Sequence, residues 1–477
     1  MKTYYIKTFG CEMNKADSEK INMILLQSGF RKTPDYKTAD LVILNTCSVR
    51  KKWEDKVYSM LKEIRDLNEE SGKKTIVGIT GCMVRKTWMN QKYFQDSQRE
   101  TAKEITYIKD SSWIFNHDDK LFPKLENLDF TLRIEEVKYI NLILTHIYGE
   151  KVGSDDKFDD YLKQAQLREN KFSASVIVQT GCDNFCTFCI VPYTRGREIS
   201  REHSEIIQEI KNLAQTGTKE ISLVGQNVNS YGKQKNLKLW NEEKSKWNDG
   251  FWVSPFRALL DDINQIEWID RIRFTSSNPH DMTSDILDAH FDLDKTCNYL
   301  HFALQSGNDE MLKRMNRRHT YADFKQMVEY LRKKDPLFSI STDIIVWYSG
   351  ETEEMFQDTL KAVAELEIDF VYIARYSVRQ GTLASKIYPD DVPDAIKAER
   401  WHTLNAVLEE NVRKRWEKML WREEDILISW EKDGDFFGRT RNFKEVFFPK
   451  KEWVNIWDLT KVRITELDGW TLKWENV

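Results

Sequence analysis

The sequence predicts an α/β protein in three parts: an N-terminal open parallel sheet, a central incomplete barrel of six strand–helix units, and a small antiparallel β-barrel at the C-terminal end. Three observations predict this order. Apolar strands alternate with amphipathic helices near the start, six further strand–helix units follow, and only short strands come after a basic helix. We expect domains at 1–123, 168–399 and 402–475, with a linker or insertion at 124–167.

Each of the first three predicted strands runs into a cysteine. Apolar runs starting at Tyr4, Leu41 and Ile76 lead to three thiols that we call the strand-end trio: Cys11, Cys47 and Cys82. In an open parallel sheet the carboxyl ends of the strands face one crevice, so these thiols can meet there. Ordinary buried cysteines are the alternative, but they would fall inside strands or on apolar helix faces. The positions favour a three-thiolate cluster site.

A second set of thiols, the loop trio, follows the first strand of the predicted barrel: Cys182, Cys186 and Cys189. Three thiolates on an iron-sulfur cube leave one iron open to a reactant, whereas a cluster that only carries electrons takes four. A structural zinc site is the alternative, with His203 as the nearest further ligand, but no second cysteine pair follows at zinc-ribbon spacing. The loop therefore predicts an enzyme. Cys297 precedes a strand and is interpreted as structural.

The composition indicates a globular protein that we expect in the cytoplasm. Hydrophobic residues make up 40% and charged residues 31% of the 477 positions, as in ordinary globular domains. The start has no apolar signal region, and no apolar run is long enough to span a bilayer. Seven cysteines suit a reducing compartment in which thiols can bind metal. A net charge of −5 argues mildly against nucleic acid as a binding partner, although local basic clusters decide such binding more than the charge of the whole chain does.

The cysteine segments carry a family resemblance. The loop trio resembles the CxxxCxxC signature of radical S-adenosylmethionine (SAM) enzymes, in which SAM chelates the open iron, and the stretch from Cys189 to Glu198 resembles the methylthiotransferases of the MiaB type, which modify tRNA. The segments Thr8–Asn14 and Asn45–Arg50 resemble the auxiliary-cluster motifs of that family. The C-terminal part resembles the TRAM domain, an RNA-binding barrel. The resemblance covers nearly the whole chain apart from 124–167 and about 233–250.

The resemblance implies two 4Fe-4S clusters and SAM as cofactors. The loop trio would hold the radical-generating cluster, and the strand-end trio would hold the cluster that delivers sulfur. SAM would serve as methyl donor and as source of a 5′-deoxyadenosyl radical, and the product would be 2-methylthio-N6-isopentenyladenosine beside the tRNA anticodon. The implied partners are the tRNA anticodon stem-loop, an electron donor such as flavodoxin or ferredoxin, and a sulfur source, with no membrane.

Polar residues after the barrel strands are candidates for binding SAM. Gln226 and Asn227 follow the second strand, Gln305 and Ser306 follow the fourth, and Glu351 follows the fifth. Uncharged donors and acceptors suit the ribose, carboxylate and adenine of SAM. The alternative is that these residues only form turns, and that an acidic residue in a first helical turn needs no function.

Three arginine clusters are candidates for binding RNA. Arginine beside aromatic residues suits phosphate contact and base stacking in a single-stranded loop, although solvated surface charge is the alternative for each cluster. The candidate residues are Arg195, Arg197, Arg317, Arg318, Arg439 and Arg441.

Other functions stay open at this stage. Sister branches of the family act on threonylcarbamoyl-adenosine in tRNA or on an aspartate of a ribosomal protein, and they rank second and third. A non-catalytic iron-sulfur or zinc protein that binds RNA is the alternative from another class.

Tryptophan stands where the family usually has glycine, at Trp268, Trp347 and Trp457. The chain has 19 glycines and 16 tryptophans, whereas ordinary usage of about 7% would give roughly 33 glycines. We hypothesise that some of these tryptophans are UGA codons that the organism reads as glycine. Genuine divergence with a reshaped SAM pocket is the alternative.

Overall fold

The structure is a computed structural model, and it describes residues 1–48, 51–84, 107–108, 128–153, 161–163, 166–168, 170–233, 253–390, 392–450, 454–468 and 471–475. The chain forms two compact units, each with its own hydrophobic core. The first unit comprises Met1–Glu169, Gln179–Ile199 and Ser377–Ile387. The second comprises Asn170–Val178, Ser200–Tyr376 and Tyr388–Val477. Both cysteine trios thus belong to the first unit, although the predicted domains separated them.

The α-helices of the described residues are numbered in chain order. They are α1 (Glu12–Gln27), α2 (Lys51–Ser71), α3 (Ile140–Tyr148), α4 (Val191–Thr194), α5 (His203–Gln215), α6 (Pro255–Asn264), α7 (Ser284–Asp292), α8 (Asp309–Arg314), α9 (Tyr321–Lys334), α10 (Glu353–Glu365), α11 (Ala384–Ile387) and α12 (Asp394–Glu417).

The first unit contains the predicted open sheet. Its six strands lie in the order β2-β1-β3-β4-β6-β5, and every pair is parallel except β5 with β6. The strands β3 and β4 are buried along their whole length, which is typical of central strands in a parallel sheet covered by helices. The bounds are β1 (Thr3–Thr8), β2 (Arg31–Lys32), β3 (Leu41–Thr46), β4 (Ile76–Gly81), β5 (Tyr107–Ile108) and β6 (Phe130–Thr131).

The stretch 124–167 differs from the linker that we expected. Its described residues include β6, which pairs in parallel with β4, and helix α3, which buries Ile143 and Leu144. The buried Lys20 of α1 donates to the carbonyl of Tyr161 at 2.8 Å. The described residues of this stretch therefore belong to the packing of the first unit. Sequence reasoning missed them because their strand is only two residues long.

The second unit contains the six predicted parallel strands. They form two three-stranded sheets, β11-β10-β7 and β12-β13-β14, and isolated parallel bridges such as Ser277 with Phe302 join β11 to β12. The six strands thus follow one another in chain order, as expected for an incomplete barrel. The bounds are β7 (Ser173–Ile177), β10 (Glu220–Val224), β11 (Arg271–Phe274), β12 (Tyr299–His301), β13 (Ser339–Val346) and β14 (Phe370–Arg375), with the short β8 (Gln179–Thr180) and β9 (Ile199–Ser200) between the first two.

The predicted C-terminal barrel is present and closed. Its strand order is β15-β16-β17-β19-β18, and its pairs are antiparallel except β17 with β19. We predicted only three of its strands and missed Asp435–Arg439 and Thr471–Glu475. The bounds are β15 (Glu423–Lys432), β16 (Asp435–Arg439), β17 (Glu445–Pro449), β18 (Leu459–Asp468) and β19 (Thr471–Glu475).

Four tryptophans of the second unit adopt a left-handed backbone. Trp268, Trp347 and Trp457 have φ values of 66°, 59° and 77°, and Trp421 has a φ of 67°. This conformation costs a residue with a side chain roughly 1–2 kcal/mol, whereas glycine adopts it freely. Glycine at these four positions would be free of this strain, as the hypothesis expects, but seven described residues other than tryptophan and glycine also have positive φ values.

The described helices include none with both the length and the apolar character that crossing a bilayer requires.

Candidate metal centres

The sheet register of the first unit brings the strand-end trio to one edge. Thr46 pairs with Gly81 at the carboxyl ends of β3 and β4, so Cys47 and Cys82 begin neighbouring turns. The amide of Cys82 donates to the carbonyl of Thr46 at 2.9 Å. Cys11 follows β1, the neighbour of β3 on its other side, and forms the N-cap of α1. The three thiols therefore lie at the edge where the sequence predicted them.

Two glycines allow the close approach of these turns. Gly81 has a φ of +87°, and a Cβ there would lie 2.4 Å from the carbonyl oxygen of Thr46. Gly10 has a φ of +126°, and its Cβ would lie 2.7 Å from the Cβ of Cys47. A side chain at either position would meet both backbone strain and a steric clash. The spacing within the strand-end trio therefore depends on these glycines.

The thiols of this trio influence one another. Cys47 and Cys82 are buried, whereas Cys11 keeps exposed surface. Desolvation by the surrounding protein raises the pKa of the Cys11 thiol, and the neighbouring Cys82 raises it further, while Arg195 opposes both. Thiols with raised pKa values lose their protons when a metal binds, because the thiolate is the ligand.

A buried amide network fixes Cys11 against the sheet. The Asn14 side chain accepts from the Cys11 thiol at 3.3 Å and donates to Asn45 at 2.9 Å. It also donates to the Thr46 carbonyl at 3.0 Å, and the Asn45 amide donates to the hydroxyl of Ser18 at 2.9 Å. The start of α1 is thereby tied to the end of β3. Sequence reasoning included both asparagines in the quoted segments but gave them no role.

Arg195 lies in the interior of the first unit, not on a surface that could meet RNA as we predicted. Its Nη2 lies 2.5 Å from Asp17 Oδ2, and the two side chains are 3% and 0% exposed. The Tyr161 hydroxyl also donates to Asp17. Burial alone would lower the pKa of Arg195, but the charge of Asp17, followed by that of Cys82, raises it well above its usual value. Arg195 therefore stays cationic within electrostatic reach of the strand-end trio.

The loop trio is held by its own backbone. The amide of Cys189 donates to the carbonyl of Cys186 at 2.9 Å, and the amide of Cys182 donates to the carbonyl of Gly196 at 3.3 Å. Burial raises the pKa of the Cys182 thiol well above its usual value, and the charges of Cys189 and then Cys186 add to this. The three thiols are therefore close neighbours on one short loop.

Neither trio is a finished ligand set. In the part of the chain that the structure describes, no three His, Cys, Asp or Glu side chains converge as a group ready to hold a metal ion. Within each trio, however, thiols lie close enough to shift one another's pKa. Thiolates are the ligands of iron-sulfur clusters, and a ligand set commonly closes when its metal binds. The residues present therefore fit such a cluster in both places.

The candidate SAM residues all lie in the second unit. Asn227 is buried and donates to Asp281 at 2.8 Å, and Gln226 before it is half-buried. Gln305 has a φ of 75°, and its buried Oε1 has no hydrogen-bond partner among the described residues. Ser306 is fully buried beside it. Gln305 therefore has a buried acceptor that is open to a ligand, and Asn227 is held in place through its amide nitrogen by Asp281.

Glu351 is bound by the chain itself. Its carboxylate accepts from the amide of Trp347 at 2.6 Å and from Arg400 Nη1 at 2.8 Å. Burial raises the pKa of Glu351 to about 7, against the opposing effects of that amide and of Arg400. The Arg400 guanidinium lies 3.3 Å from the centroid of the Trp347 ring. The proposed glycine position thus directly borders Glu351.

The remaining arginine candidates differ in their availability. Arg197 is exposed, pairs with Asp183 at 2.8 Å and lies over the ring of Phe185. Arg317 is half-buried and donates to a backbone carbonyl at 2.5 Å, whereas Arg318 is exposed. Arg197 and Arg318 are therefore more accessible than Arg317.

The C-terminal barrel presents aromatic and cationic groups together. Arg439 is exposed and lies 4.6 Å from the ring centroid of Phe443, while Arg441 donates to backbone carbonyls at 2.7 Å. Trp430 is 47% exposed and stacks on Phe437 with ring centroids 3.7 Å apart. Sequence reasoning missed Trp430 as a candidate, because it neighbours Phe437 only through strand pairing.

Comparisons with known proteins agree with this arrangement. The model for the radical SAM superfamily matches residues 176–363, and the model described as "Uncharacterized protein family UPF0004" matches residues 3–101. A tRNA-2-methylthio-N(6)-dimethylallyladenosine synthase from Caldicellulosiruptor saccharolyticus is 38% identical over 93% of this chain and 86% of its own length. The synthase from Clostridium novyi is 35% identical over 100% of this chain and 97% of its own length.

Among solved structures, one similar chain is the radical SAM methyltransferase TsrM from Kitasatospora setae with cobalamin and a 4Fe-4S cluster bound. The two structures match with a TM-score of 0.49 and 12% sequence identity, over 80% of this chain and 73% of the TsrM chain.

Proposed function

The chain belongs to the family of tRNA-2-methylthio-N(6)-dimethylallyladenosine synthases within the radical SAM superfamily, and we propose that it adds a methylthio group to C2 of N6-isopentenyladenosine beside the anticodon of tRNA. Radical SAM enzymes use SAM and a 4Fe-4S cluster. When bound, the cluster would supply the electron that cleaves SAM to a 5′-deoxyadenosyl radical. A radical is needed because an aromatic C–H bond offers no acidic proton to a side-chain base.

The loop trio would hold the radical-generating cluster. Its three thiols share one short loop, and its backbone bonds keep Cys186 and Cys189 in one turn. Three ligands leave one iron open, which is where the amino and carboxylate groups of SAM would bind. In this role the residues of the loop orient the cluster and leave one corner for the cosubstrate.

The strand-end trio would hold a second 4Fe-4S cluster, the one that delivers sulfur. Its thiols follow three neighbouring strands of the first unit, and Gly10 and Gly81 leave space for the turns to approach. The amide network around Asn14 and Asn45 orients Cys11 toward that site. This pair of separate trios in one compact unit is the observation that carries the proposal, because a single electron-transfer or zinc site would need only one of them.

The candidates for SAM are residues of the second unit, and those for RNA come from both units. Gln226, Asn227, Gln305, Ser306 and Glu351 are the candidates for SAM, and Gln305 has a buried acceptor that a ligand could use. For RNA, the exposed Arg197, Arg318 and Arg439 would contact phosphates, and stacked aromatics of the C-terminal barrel would contact bases. Arg317 and Arg441 already donate to backbone carbonyls of the chain, so they would contribute less to RNA binding.

The proposed partners are the tRNA anticodon stem-loop, an electron donor such as flavodoxin or ferredoxin, and a sulfur source, in the cytoplasm.

Nucleoside analysis tests the function directly. Full-length protein is reconstituted without oxygen and incubated with a reductant, sulfide, SAM and tRNA that carries isopentenyladenosine, after which the nucleosides are analysed by mass spectrometry. We expect the 2-methylthio product together with 5′-deoxyadenosine. The control substrates are tRNA without the isopentenyl group, tRNA with threonylcarbamoyl-adenosine and a ribosomal-protein substrate. Product on one of the latter two alone would assign a sister activity. One bound zinc and no SAM cleavage would assign a binding protein.

A further inference from the structure

Three polar side chains meet on the inner face of the incomplete barrel in the second unit. Phe302, which follows β12, stacks on Phe324 of helix α9 with ring centroids 4.3 Å apart, so its side chain points outward to the helices. Successive side chains of a strand point to opposite faces, and His301 therefore points inward. Its Nε2 lies 3.3 Å from Oδ2 of Asp343 on β13, and its ring centroid lies 5.7 Å from that of Tyr372 on β14. We call these three residues the inner cluster.

The inner cluster is oriented by the backbone but open to a ligand. The amide of Ser276 donates to His301 Nδ1 at 3.3 Å. A ring nitrogen that accepts a hydrogen bond carries no proton, so the proton is on Nε2, which faces the Asp343 carboxylate. The side chain of Asp343 is 38% exposed, and Tyr372 is exposed as well. The carboxylate can therefore accept a further hydrogen bond, and the phenol ring can be stacked upon.

The barrel interior is filled on the side of the inner cluster that lies toward the amino ends of the strands. Two residues earlier on β12 and β13, the Tyr299 hydroxyl and Ser341 Oγ lie 2.7 Å apart, and both residues are buried. Phe443 of the C-terminal barrel stacks on Tyr299 with ring centroids 4.4 Å apart. The inner cluster is thus the first accessible layer above a closed floor. Barrels of this kind bind their ligands from the carboxyl ends of the strands.

An apolar layer follows on the same face, toward those carboxyl ends. Ile345 and Ala374 pair across β13 and β14, each two residues beyond Asp343 and Tyr372, and both are half-buried. Residues two apart on a strand share a face. A carboxylate, an aromatic ring and then an apolar layer match an adenine whose N6 carries an apolar chain. The N6–H can donate to the carboxylate, the base can stack on the ring, and the chain can contact the apolar layer. The adenine of SAM has no such chain.

We propose that the inner cluster binds the target base of the RNA, with Asp343 accepting the N6–H of isopentenyladenosine and Tyr372 stacking on its ring. His301 is a positioning residue that holds the carboxylate through Nε2. The proposal rests on the proposed function, because it takes isopentenyladenosine as the substrate. A base bound inside the barrel has to leave the stack of its RNA loop, and bases of single-stranded loops are commonly splayed out in this way.

A substrate analogue without the N6–H tests the contact. Three anticodon stem-loop RNAs carry isopentenyladenosine, N6-methyl-N6-isopentenyladenosine or adenosine at the target position. Their dissociation constants are measured with reconstituted full-length protein and SAM but without reductant. The wild type should bind the isopentenyl RNA about tenfold more tightly than its N6-methylated analogue, because a hydrogen bond to a charged group is lost. Asp343→Ala should bind these two RNAs equally. Asp343→Asn keeps an acceptor oxygen and should regain part of the preference, and His301→Gln should reduce the preference without abolishing it.

Asp262→Ala is the matched control. Asp262 of helix α6 also pairs with a histidine, His203 of helix α5, at 2.7 Å, but both lie on helices and not on the inner strand face. This variant should keep the tenfold preference of the wild type. The affinity of Asp343→Ala for SAM, measured without RNA, should equal that of the wild type.

The inference and the proposed function fail in different ways. The inference is wrong if Asp343→Ala keeps the wild-type preference, if it loses SAM binding instead, or if it weakens all three RNAs equally, which would indicate a structural role. It is also wrong if the wild type forms the methylthio product but shows no preference between the isopentenyl RNA and its N6-methylated analogue. A wild type that forms no such product and binds the isopentenyl RNA no better than the adenosine RNA would overturn the proposed function itself.

Discussion

Asp17 in the first unit and Asp369 in the second are both fully buried carboxylates, but they hold their cations differently. Asp369 is shared by Lys444 at 2.5 Å, Arg415 at 2.9 Å and Arg332 at 3.2 Å. Asp17 is paired with Arg195 alone among the ion pairs of the described residues. Three cations of the second unit thus share one carboxylate, whereas one arginine of the first unit pairs with one carboxylate. Removing the carboxylate should therefore leave three buried cations unpaired in the second unit but only one in the first.

The two units also differ at their strained backbone positions. At the strand-end trio of the first unit, positive φ values occur at glycines, Gly10 and Gly81, where a Cβ would clash. In the second unit four positive φ values occur at tryptophans, including Trp347 beside Glu351. Glycine thus occupies the crowded positive-φ positions at the strand-end trio, whereas Phe185, between the thiols of the loop trio, and the tryptophans of the second unit adopt positive φ with a side chain, at a cost in strain. The comparison predicts where substitutions harm and where they help.

The largest expected effect is on the loop trio. Cys182→Ala should reduce SAM cleavage to the uncatalysed background, because the radical-generating cluster loses a ligand. The measurement is 5′-deoxyadenosine formed by reconstituted protein. Cys297→Ala is the control, since Cys297 is buried in the second unit, and it should retain cleavage. Equal loss in both variants would remove the distinction between these thiols.

The strand-end trio should separate cleavage from product. Cys47→Ala should leave 5′-deoxyadenosine formation but abolish the methylthio nucleoside, because the sulfur-delivering cluster is lost. Both compounds are quantified in one reaction with tRNA. Undiminished product from this variant would show that the strand-end trio does not deliver sulfur.

The Asp369 cluster should dominate stability in the second unit. Asp369→Asn should lower the free energy of unfolding by about 3–5 kcal/mol, because three buried cations lose their carboxylate. Asp433→Asn, at a side chain 85% exposed, should change it by less than about 0.5 kcal/mol. Urea unfolding measures both. A loss as small as that of the control would make the Asp369 cluster unimportant.

The same carboxylate should give a pH dependence. Burial opposes ionisation of Asp369, but the charges of Lys444, Arg415 and Arg332 outweigh it and lower its pKa. The lowered pKa means that its stabilisation is complete above the unfolded value of about 3.9 and declines as the pH falls below it. The free energy of unfolding is measured against pH for the wild type and for Asp369→Asn. The variant should lose less stability than the wild type as the pH falls below about 3.9, and an equal loss in both proteins would contradict the role of Asp369.

The stability cost of replacing a glycine of the first unit by alanine should depend on how crowded the position is. Gly81→Ala should cost about 3 kcal/mol or more, because strain adds to a clash with the Thr46 carbonyl. Gly72→Ala, at a φ of +67° with nothing within 4 Å of its Cβ, should cost only about 1 kcal/mol. Thermal unfolding of both variants checks the difference. Equal costs would show that crowding at the strand-end trio is unimportant.

The tryptophans of the second unit should give the smallest effect, with opposite sign. Trp268→Gly and Trp421→Gly should stabilise the chain by about 1 kcal/mol each, since both side chains are largely exposed and glycine relieves the strain. Trp430→Gly, on a strand and stacked on Phe437, should destabilise it. Peptide mass spectrometry of protein from the native source tests whether the organism reads these UGA codons as glycine. The mass of tryptophan at position 347 would rule that hypothesis out.

The sequence predicted the parts that local pattern controls. Cys182, Cys186 and Cys189 are visible from spacing alone, and the strand-end trio is visible because a parallel sheet collects the ends of its strands. The roles of Asn14 and Asp17 were missed because hydrogen bonds to side chains leave no periodic signal. Arg195 was interpreted as an RNA contact because its partner Asp17 is 178 positions away, a distance that no local pattern spans.

Iron and sulfide content per chain tests the central claim most directly. The full-length protein is reconstituted without oxygen beside two triple alanine variants, one for each cysteine trio. We predict about eight irons for the intact chain and about four for either variant. About four irons in the intact chain, or a variant that keeps the full complement, would contradict the account of two separate clusters.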